Sequence, residues 1–294
     1  MSIADRFQSL IRRIQPTAAE LTAKSRHAAE IDACLRSARG IKGVRRIGSY
    51  SRGSAVRGIS DMDLLAVFTR ESARWGNGYV SGTTMLNRVR GALGTRFPKT
   101  DSNRDGQAVV CRFDDGDVDV VPAIFQGMHP AKGVNRPLFL IPSAAGDWMP
   151  TSPEAHGVLI EEAHASSGHK FAACIQILKF WRDCRRPRTP ISSFHMEILF
   201  ASERTFSGVK SYQECLIAAF RTLRHRGCRA INDPMGVSGR VQAADSGPKA
   251  RLATEHAATA LDKAERALAA ELSRDQETAH RYWDMVFNDR FPAS

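Results

Sequence analysis

The sequence predicts an α+β protein in which a mixed first half is followed by an almost wholly helical second half. Short apolar runs of strand length, bounded by glycine, serine or aspartate, recur up to Ile141. Around residues 150–153 the pattern changes, and apolar residues then follow the helical period. We therefore expect a core of residues 1–150 that includes an N-terminal helix, and a helical domain of residues 151–294 that closes a cleft over it.

The first half alternates helical and strand patterns. Asp114-Asp115-Gly116 is typical of a hairpin turn, because Asp-Gly favours the tight turns that join antiparallel strands. In chain order we predict helix 3–38 with an interruption near residues 16–17, strand 44–47, helix 49–56, strand 62–68, helix 83–93, strands 107–113 and 117–122, and a further strand that ends at Ile141.

The second half carries clear helix-start signals. Ser152 is a good N-cap, and Pro153 suits the first position of a helix. Ser211 and Glu214 have the spacing of a capping box. The last two helices are predicted at residues 248–272 and 274–287, and residues 232–247 are predicted to be a flexible loop.

The composition is typical of a globular protein in a reducing compartment. The chain has 294 residues, enough for a large core, and 43% of them are hydrophobic. No apolar run approaches the roughly 20 residues that cross a membrane, and the first residues lack a signal-peptide core. The six cysteines are scattered without a Cys-x-x-Cys pair, which favours free thiols. We expect a cytoplasmic protein that does not act at a membrane.

The net charge of +11 indicates a surface that attracts polyanions. Basic residues cluster at residues 42–46, 182–188 and 221–229. Most of these side chains are expected to be solvated surface groups. Charge alone does not distinguish an enzyme that uses nucleoside triphosphates from a protein that binds RNA.

The strongest functional signal lies between Gly48 and Asp63. A small Gly48-Ser49 pair can bring backbone N–H groups close to phosphate groups, at the start of a helix that favours anions. Residues 62–68 are apolar apart from Asp63, and strand alternation places Asp61 and Asp63 on one side. Two carboxylates this close repel each other unless a cation lies between them. Their order and spacing predict a metal-dependent phosphoryl-transfer site.

A third carboxylate is predicted on the returning strand of the hairpin. Asp117 and Asp119 share one face of strand 117–122, and either could complete the site. Asp119 is preferred because it lies deeper in the strand. Asp117 lies nearer the exposed turn, where a role in the turn itself is expected.

Together these motifs resemble the DNA polymerase β-like nucleotidyltransferase superfamily. Gly-Ser, Asp-x-Asp and the later run from Val118 to Pro122 carry this resemblance. Within the superfamily the chain is similar to the cyclic GMP-AMP synthase/DncV-like nucleotidyltransferases, called CD-NTases. The segments that support the narrower resemblance are residues 136–142 and 146–153 (a link between lobes), 175–182 (a central helix), 192–198 (a Ser-Tyr-His helix start), 233–234 and 283–292.

The resemblance implies a polymerase β-like nucleotidyltransferase lobe, with a mixed sheet and flanking helices, plus a C-terminal helical lobe. It implies an Mg²⁺-dependent enzyme, with Mn²⁺ as the alternative metal, whose active site lies between the lobes. Such an enzyme condenses nucleoside triphosphates (ATP, GTP or both) into a cyclic or linear di- or trinucleotide second messenger. A separate effector protein would respond in anti-phage defence. The sequence lacks the His/Cys zinc insertion of animal DNA-sensing relatives, so DNA is not an expected activator.

The same resemblance assigns the site residues. The catalytic and metal-binding residues are Asp61, Asp63 and Asp119, and the nucleotide-binding residues are Gly48, Ser49, Lys179, Ser193 and Phe194. Lys179 interrupts an apolar helical stretch, so it either extends to solvent or contacts the β- and γ-phosphates. Ser193 is expected both as a helix N-cap and as a phosphate contact. Phe194 replaces the family's tyrosine, so it can stack on a base but cannot donate a hydrogen bond.

Other functions fit parts of the sequence. A template-independent RNA 3′-end nucleotidyltransferase, of the poly(A) or CCA type, suits the basic surface, but the sequence has no recognisable RNA-binding region. A catalytically silent scaffold is disfavoured because all three carboxylates are present. Nucleotidylation of a cationic antibiotic would require an acidic pocket, which a strongly basic chain disfavours.

Overall fold

The structure is a computed structural model that describes residues 2–97, 102–105, 107–143 and 146–293. It confirms the α+β class, with a mixed sheet, flanking helices and many further helices. The helices are α1 (Ile3–Ile14), α2 (Ala18–Ser37), α3 (Gly48–Ser51), α4 (Arg70–Ala73), α5 (Gly82–Arg96), α6 (Pro153–Ser166), α7 (Phe171–Cys184), α8 (Ser193–Ser202), α9 (Tyr212–Arg226), α10 (Gly247–Leu272) and α11 (Gln276–Val286). The strands are β1 (Ile41–Ile47), β2 (Met62–Phe68), β3 (Arg74–Trp75), β4 (Gly78–Tyr79), β5 (Ser102–Asp105), β6 (Ala108–Cys111), β7 (Val118–Ala131), β8 (Val134–Pro142), β9 (Trp148–Thr151), β10 (Ile231–Asn232) and β11 (Arg240–Val241).

The chain divides into two compact units. The sheet unit is continuous and comprises residues 16–157, whereas the helical unit combines residues 1–15 with residues 158–294. Helix α1 therefore groups with the helical unit, although the sequence analysis placed it with the core of residues 1–150. The physical reason is that α1 packs against α7, α9 and α11 of that unit.

Within the described residues, seven strands of the sheet unit form one mixed sheet. Its main path runs β1-β2-β7-β6-β5, while β8 pairs with the second part of β7 and β9 pairs with β8. Strands β2 and β7 are parallel to each other. Strand β2 is antiparallel to β1, and β7 is antiparallel to β6. The two strands that carry the Asp-x-Asp motif and Asp119 are therefore central neighbours.

The two faces of β2 have different surroundings. One face packs on α2 and α5 through Met62, Leu64, Ala66 and Phe68. The opposite face carries Leu65 and Val67, which cluster with Ala123 and Phe139. Because side chains alternate along a strand, Asp63 lies on the same face as Leu65 and Val67, away from the core formed with α2 and α5.

Helix α2 begins where the sequence predicted an interruption. Thr17 is its N-cap, and the hydroxyl of Thr17 accepts the N–H of Glu20. The Glu20 carboxylate in turn accepts the Thr17 N–H at 2.7 Å, which completes a capping box. Pro16 precedes this cap, and a proline restricts the residue before it to extended conformations, so α1 cannot continue into α2.

The helical unit is built around an aromatic cluster. Phe7 of α1 is fully buried and meets the ring of Trp283 edge-on, with the ring centroids 4.9 Å apart. Phe291 lies 5.0 Å from the Phe7 centroid, and Trp283 donates its indole N–H to Gln213 at 2.8 Å. The predicted capping box at Ser211 is confirmed at the start of α9.

Two elements differ from the sequence prediction. Helix α3 ends at Ser51, so the predicted helix 49–56 is only one turn long. The predicted loop 232–247 includes the second residue of β10 and the whole of β11, which pair with each other, and the Asp233 carboxylate accepts the N–H groups of Val237 and Ser238. These local hydrogen bonds give the segment a defined path.

None of the helices that the structure describes combines the length and the apolar character that crossing a bilayer requires.

Candidate active site

The carboxylates of the two central strands lie side by side in the sheet register. Asp63 of β2 is the Cα partner of Asp119 of β7 in the parallel ladder, and Ile47 of β1 is the partner of Asp63 on the other side. Residues directly opposite in a parallel pair project to the same face. Both aspartates are half-buried. The register therefore places two of the three predicted carboxylates next to each other.

Gly48 brings the Gly-Ser turn against the same carboxylate. It follows β1 directly and adopts φ +72°, a conformation that favours glycine. A Cβ at this position would lie 1.7 Å from Oδ2 of Asp63, so no other residue fits without a shift. The turn is folded by a hydrogen bond from the Ser51 hydroxyl to the Gly48 carbonyl at 2.9 Å. Gly48, directly after β1, thus lies against Asp63 of β2, which is the register neighbour of Asp119 in β7.

Asp61 lies immediately before β2 and is exposed as a residue. Loss of hydration around its carboxyl group, followed by the negative charge of Asp117, raises the pKa of Asp61, and the ammonium of Lys24 opposes this rise. Carboxylates that crowd each other in this way are a common feature of catalytic sites. The physical surroundings of Asp61 therefore agree with a place in the acidic site.

The donor atoms suit a hard divalent cation. Mg²⁺ prefers oxygen ligands and is usually held by one or two carboxylates together with phosphate groups. Across the part of the chain that the structure describes, no three His, Cys, Asp or Glu side chains already converge as a closed metal cage. Asp61, Asp63 and Asp119 provide the right chemistry at neighbouring backbone positions, and a bound cation would have to draw their oxygen atoms together.

Lys24 is a residue near this site that the sequence analysis did not identify. It lies on α2, is 4% exposed, and donates from Nζ to the carbonyl of Asp117 at 2.7 Å. The signal for it is present in the sequence, because Lys24 has helical spacing with the buried residues Ala28, Ile31 and Leu35. A lysine on the apolar face of a helix indicates a buried partner.

The remaining predicted nucleotide-binding residues belong to the helical unit. Lys179 of α7 is 2% exposed and forms an ion pair with Glu197 of α8, with Nζ and Oε1 2.7 Å apart. It therefore does not extend to solvent, which was one of the two alternatives for this residue. Phe194 is half-buried at the start of α8.

Ser193 occupies a different position from the one expected. The N-cap of α8 is Ser192, whose hydroxyl accepts the N–H of His195, so the prediction that Ser193 caps the helix is wrong. The Ser193 hydroxyl instead accepts a hydrogen bond from Nη1 of Arg182 at 2.5 Å. Arg182 is 7% exposed and also pairs with Asp183. From the sequence, either of the two consecutive serines could be the N-cap. The helix begins at Ser193, so the residue before it, Ser192, is the N-cap.

Comparison with known proteins identifies the fold. Residues 1–163 match the family model of the Second Messenger Oligonucleotide or Dinucleotide Synthetase domain (SMODS). A probable cyclic nucleotide synthase of Bacillus cereus (strain VD146) is 22% identical over 277 residues, which are 84% of this chain and 81% of that protein.

Two solved structures are similar over nearly their whole length. CdnC of E. coli MS115-1, solved with ATP, has a TM-score of 0.76 at 20% identity, with 99% of this chain and 98% of CdnC covered. The CD-NTase CdnG of Bradyrhizobium diazoefficiens, solved in complex with GTP, has a TM-score of 0.68 at 15% identity, with 97% and 98% covered. The SMODS match spans more than half of the chain and includes the Gly-Ser turn and all three carboxylates. The chain therefore belongs to the SMODS domain family, the CD-NTases, and is a nucleotidyltransferase.

Proposed function

We propose that the protein condenses nucleoside triphosphates into a cyclic or linear di- or trinucleotide second messenger in an Mg²⁺-dependent reaction. The observation that carries this proposal is the contact of Gly48, directly after β1, with Asp63 of β2, which is the register neighbour of Asp119 in β7. A glycine turn against a pair of in-register carboxylates combines a phosphate-binding backbone with oxygen ligands for a divalent cation.

The reaction would join two nucleotides with release of pyrophosphate. A ribose hydroxyl oxygen of one nucleotide forms a bond to the α-phosphorus of the other, the bond from that phosphorus to pyrophosphate breaks, and the hydroxyl proton passes to solvent. Asp61, Asp63 and Asp119 would hold the metal. When bound, Mg²⁺ supplies neutralising charge on the phosphates and lowers the pKa of the attacking hydroxyl.

The turn at Gly48 and Ser49 would position the triphosphate. Helix α3 has only four residues, so the donors are the backbone N–H groups of the turn and the Ser49 hydroxyl rather than a helix dipole. Since Gly48 has no side chain, a phosphate can approach this backbone while Asp63 lies against it.

The helical unit would contribute further contacts to the nucleotide. The hydroxyl of Ser193 already accepts a hydrogen bond from Arg182, and this pair offers both a guanidinium and a hydroxyl to phosphate oxygens. Lys179 would contact the phosphates while it remains paired with Glu197, so its positive charge would be shared between the phosphates and the Glu197 carboxylate. Phe194 would stack on a base.

The substrates and biological setting extend the proposal. We infer that ATP or GTP is used, because the similar CdnC and CdnG were solved with ATP and with GTP. The product would act through a separate effector protein in bacterial anti-phage signalling, in the cytoplasm, where the scattered cysteines would stay reduced.

The test is incubation of the purified protein with labelled ATP, GTP, CTP and UTP, with Mg²⁺ or Mn²⁺ and without RNA. We expect one of two products. A cyclic product would carry label that resists phosphatase, because a ring has no free terminal phosphate. The alternative is a short linear product. The variant Asp63→Asn should form neither product and serves as the control for a contaminating activity. Label that appears only after RNA is added would contradict the proposal and favour RNA 3′-end addition.

A further inference from the structure

Lys24 is a charged residue in a position that is normally apolar. Its neighbours at helical spacing along α2 are Ala28, Ile31 and Leu35, which are buried in the core beneath β2 and β7. Burial of an ammonium group is unfavourable unless hydrogen bonds and opposite charges replace its hydration. The contacts of Lys24 therefore indicate what it contributes to the sheet unit.

The Lys24 ammonium binds a backbone carbonyl at the start of the two acidic strands. The carbonyl oxygen of Asp117 accepts both Nζ of Lys24 at 2.7 Å and the N–H of Met62 at 3.3 Å. Met62 stands between Asp61 and Asp63, and Asp117 stands two residues before Asp119. One carbonyl thus joins α2, the start of β2 and the start of β7.

The hairpin turn leaves room for this ammonium. Gly116 has φ +111°, and a Cβ there would lie 2.8 Å from Nζ of Lys24. The backbone conformation therefore favours a glycine, and the absence of a side chain leaves space for the lysine ammonium. The same turn is also held by His27, whose Nε2 lies 2.7 Å from the Asp115 carboxylate.

Lys24 also lies in the field of four carboxylates. Burial lowers the pKa of Lys24, and the negative charges of Asp61, Asp115, Asp117 and Asp119 raise it. Two of these four, Asp61 and Asp119, belong to the proposed metal site. The ammonium is therefore placed where a positive charge offsets the mutual repulsion of the acidic side chains.

We propose that Lys24 is a positioning residue of the carboxylate site, which fixes the start of β2 against the start of β7 and supplies a built-in positive charge before a divalent cation binds. This inference rests on the proposed function, in which Asp61, Asp63 and Asp119 hold Mg²⁺. The Lys24 side chain would have two effects: a hydrogen bond to Asp117 and a positive charge near the carboxylates.

Three substitutions separate these two effects. Lys24→Arg keeps both the charge and a donor, Lys24→Gln keeps a donor without the charge, and Lys24→Met keeps neither. Arg26→Gln is the matched control, because it removes one positive charge from the same helix at a side chain that is 65% exposed. Thermal unfolding of each full-length protein is followed by circular dichroism during titration with Mg²⁺ alone.

We expect the neutral variants to be less stable than the wild type without Mg²⁺ and to be stabilised more by it. The Mg²⁺ concentration for half-maximal stabilisation should fall roughly fivefold in Lys24→Gln, because a positive charge in the field of Asp61 and Asp119 has been removed. Lys24→Arg and Arg26→Gln should respond to Mg²⁺ as the wild type does. A purely structural role would instead lower stability by the same amount at every Mg²⁺ concentration.

Each outcome decides the matter. A Lys24→Gln or Lys24→Met protein that folds only with Mg²⁺ supports the inference, whereas failure to fold both with and without Mg²⁺ overturns it. An unchanged response to Mg²⁺ in both neutral variants also overturns it while leaving the proposed function intact. If the wild type itself shows no response to Mg²⁺, the proposed metal site fails and the inference fails with it.

Discussion

Among single residues, Gly48 is restricted both by its backbone conformation and by its contact with a neighbouring carboxylate. Its positive φ and its contact with the Asp63 carboxylate are separate demands, and the sequence satisfies both with one glycine. Gly58 shares only the first demand, since it has φ +65° and no atom of the described residues lies within 4 Å of its Cβ position.

The variant Gly48→Ala should lose most nucleotidyltransferase activity, because the added methyl group would displace the Asp63 carboxylate. Gly58→Ala should keep the activity and lose only about 1–2 kcal/mol of stability, the cost of a left-handed conformation for alanine. Initial rates of pyrophosphate release and urea unfolding of both variants check this. Equal losses of activity in the two variants would show that backbone strain, rather than the contact with Asp63, is responsible.

The choice between the two hairpin aspartates can be tested in the same assay. Asp119→Asn should reduce the rate about 100-fold or more, since even the loss of an indirect metal partner commonly costs 10–100-fold. Asp117→Asn should keep most of the activity. Asp117 precedes β7 and is not the strand partner of Asp63, and the substitution leaves its backbone carbonyl unchanged. The assignment of Asp119 would be wrong if the two variants exchanged these behaviours.

The sequence predicts the positions of the register neighbours Asp63 and Asp119 more directly than it predicts the contacts around them. Asp61, Asp63 and Asp119 follow from strand alternation and a hairpin turn, which are properties of a few neighbouring residues. The burial of Lys24 and the pairing of Lys179 with Glu197 depend on residues 93 and 18 positions away, respectively. Such contacts leave only a weak local signal, a charge at an apolar helical position.

Among the secondary-structure elements, α2 supports the site from behind the sheet. It covers one face of the sheet and carries Lys24, and its start is fixed by the capping box of Thr17 and Glu20. Glu20 also forms an ion pair with Arg57, 3.1 Å from Nε to Oε1, which connects the helix to the segment between α3 and β2.

Removal of this cap should weaken the sheet unit. Thr17→Ala should cost about 1 kcal/mol of unfolding free energy, the usual effect of losing a threonine N-cap. Thr22→Ala is the matched control, because Thr22 is exposed within the same helix and its hydroxyl only returns to the Ala18 carbonyl, so a change within about 0.5 kcal/mol is expected. Urea unfolding followed by circular dichroism measures both. A cost for Thr22→Ala as large as that for Thr17→Ala would contradict the role of the cap.

Some elements were predicted correctly because their signals are local. The starts of α2, α6 and α9 follow from serine, threonine and proline at characteristic positions. Helix α3 was predicted too long because Gly53, at φ +68°, ends the helical path soon after Ser51. The short β10–β11 pair was missed, since two-residue strands have no periodicity to detect.

For the molecule as a whole, the grouping of α1 with the end of the chain is the main departure from expectation. The buried face of α1 consists of Ile3, Phe7, Leu10, Ile11 and Ile14. Phe7 contacts the rings of Trp283, Phe287 and Phe291, and the Arg6 guanidinium donates to the carbonyl of Pro292 at 2.8 Å. The apolar face of an amphipathic helix predicts that the helix packs against another element, but the sequence of the helix does not predict which element that is.

Phe7→Ala should destabilise the helical unit by about 3–5 kcal/mol, the range for removing a buried phenylalanine. Leu272→Ala provides the comparison, because Leu272 is 79% exposed at the end of α10 and should change stability by no more than about 0.5 kcal/mol. Chemical unfolding monitored by tryptophan fluorescence reports on the cluster through Trp283. A small effect of Phe7→Ala would mean that α1 contributes little to this core.

The position of α1 has a consequence for the way the protein is made. Phe7 is synthesised before Trp283, so at about 5–20 residues per second the helix waits roughly 14–55 s for its partners. During that time the whole of the continuous segment 16–157 is synthesised, while the apolar side of α1 is left uncovered. In a nascent chain, the apolar face of α1 is therefore accessible to chaperones until Trp283 has been synthesised.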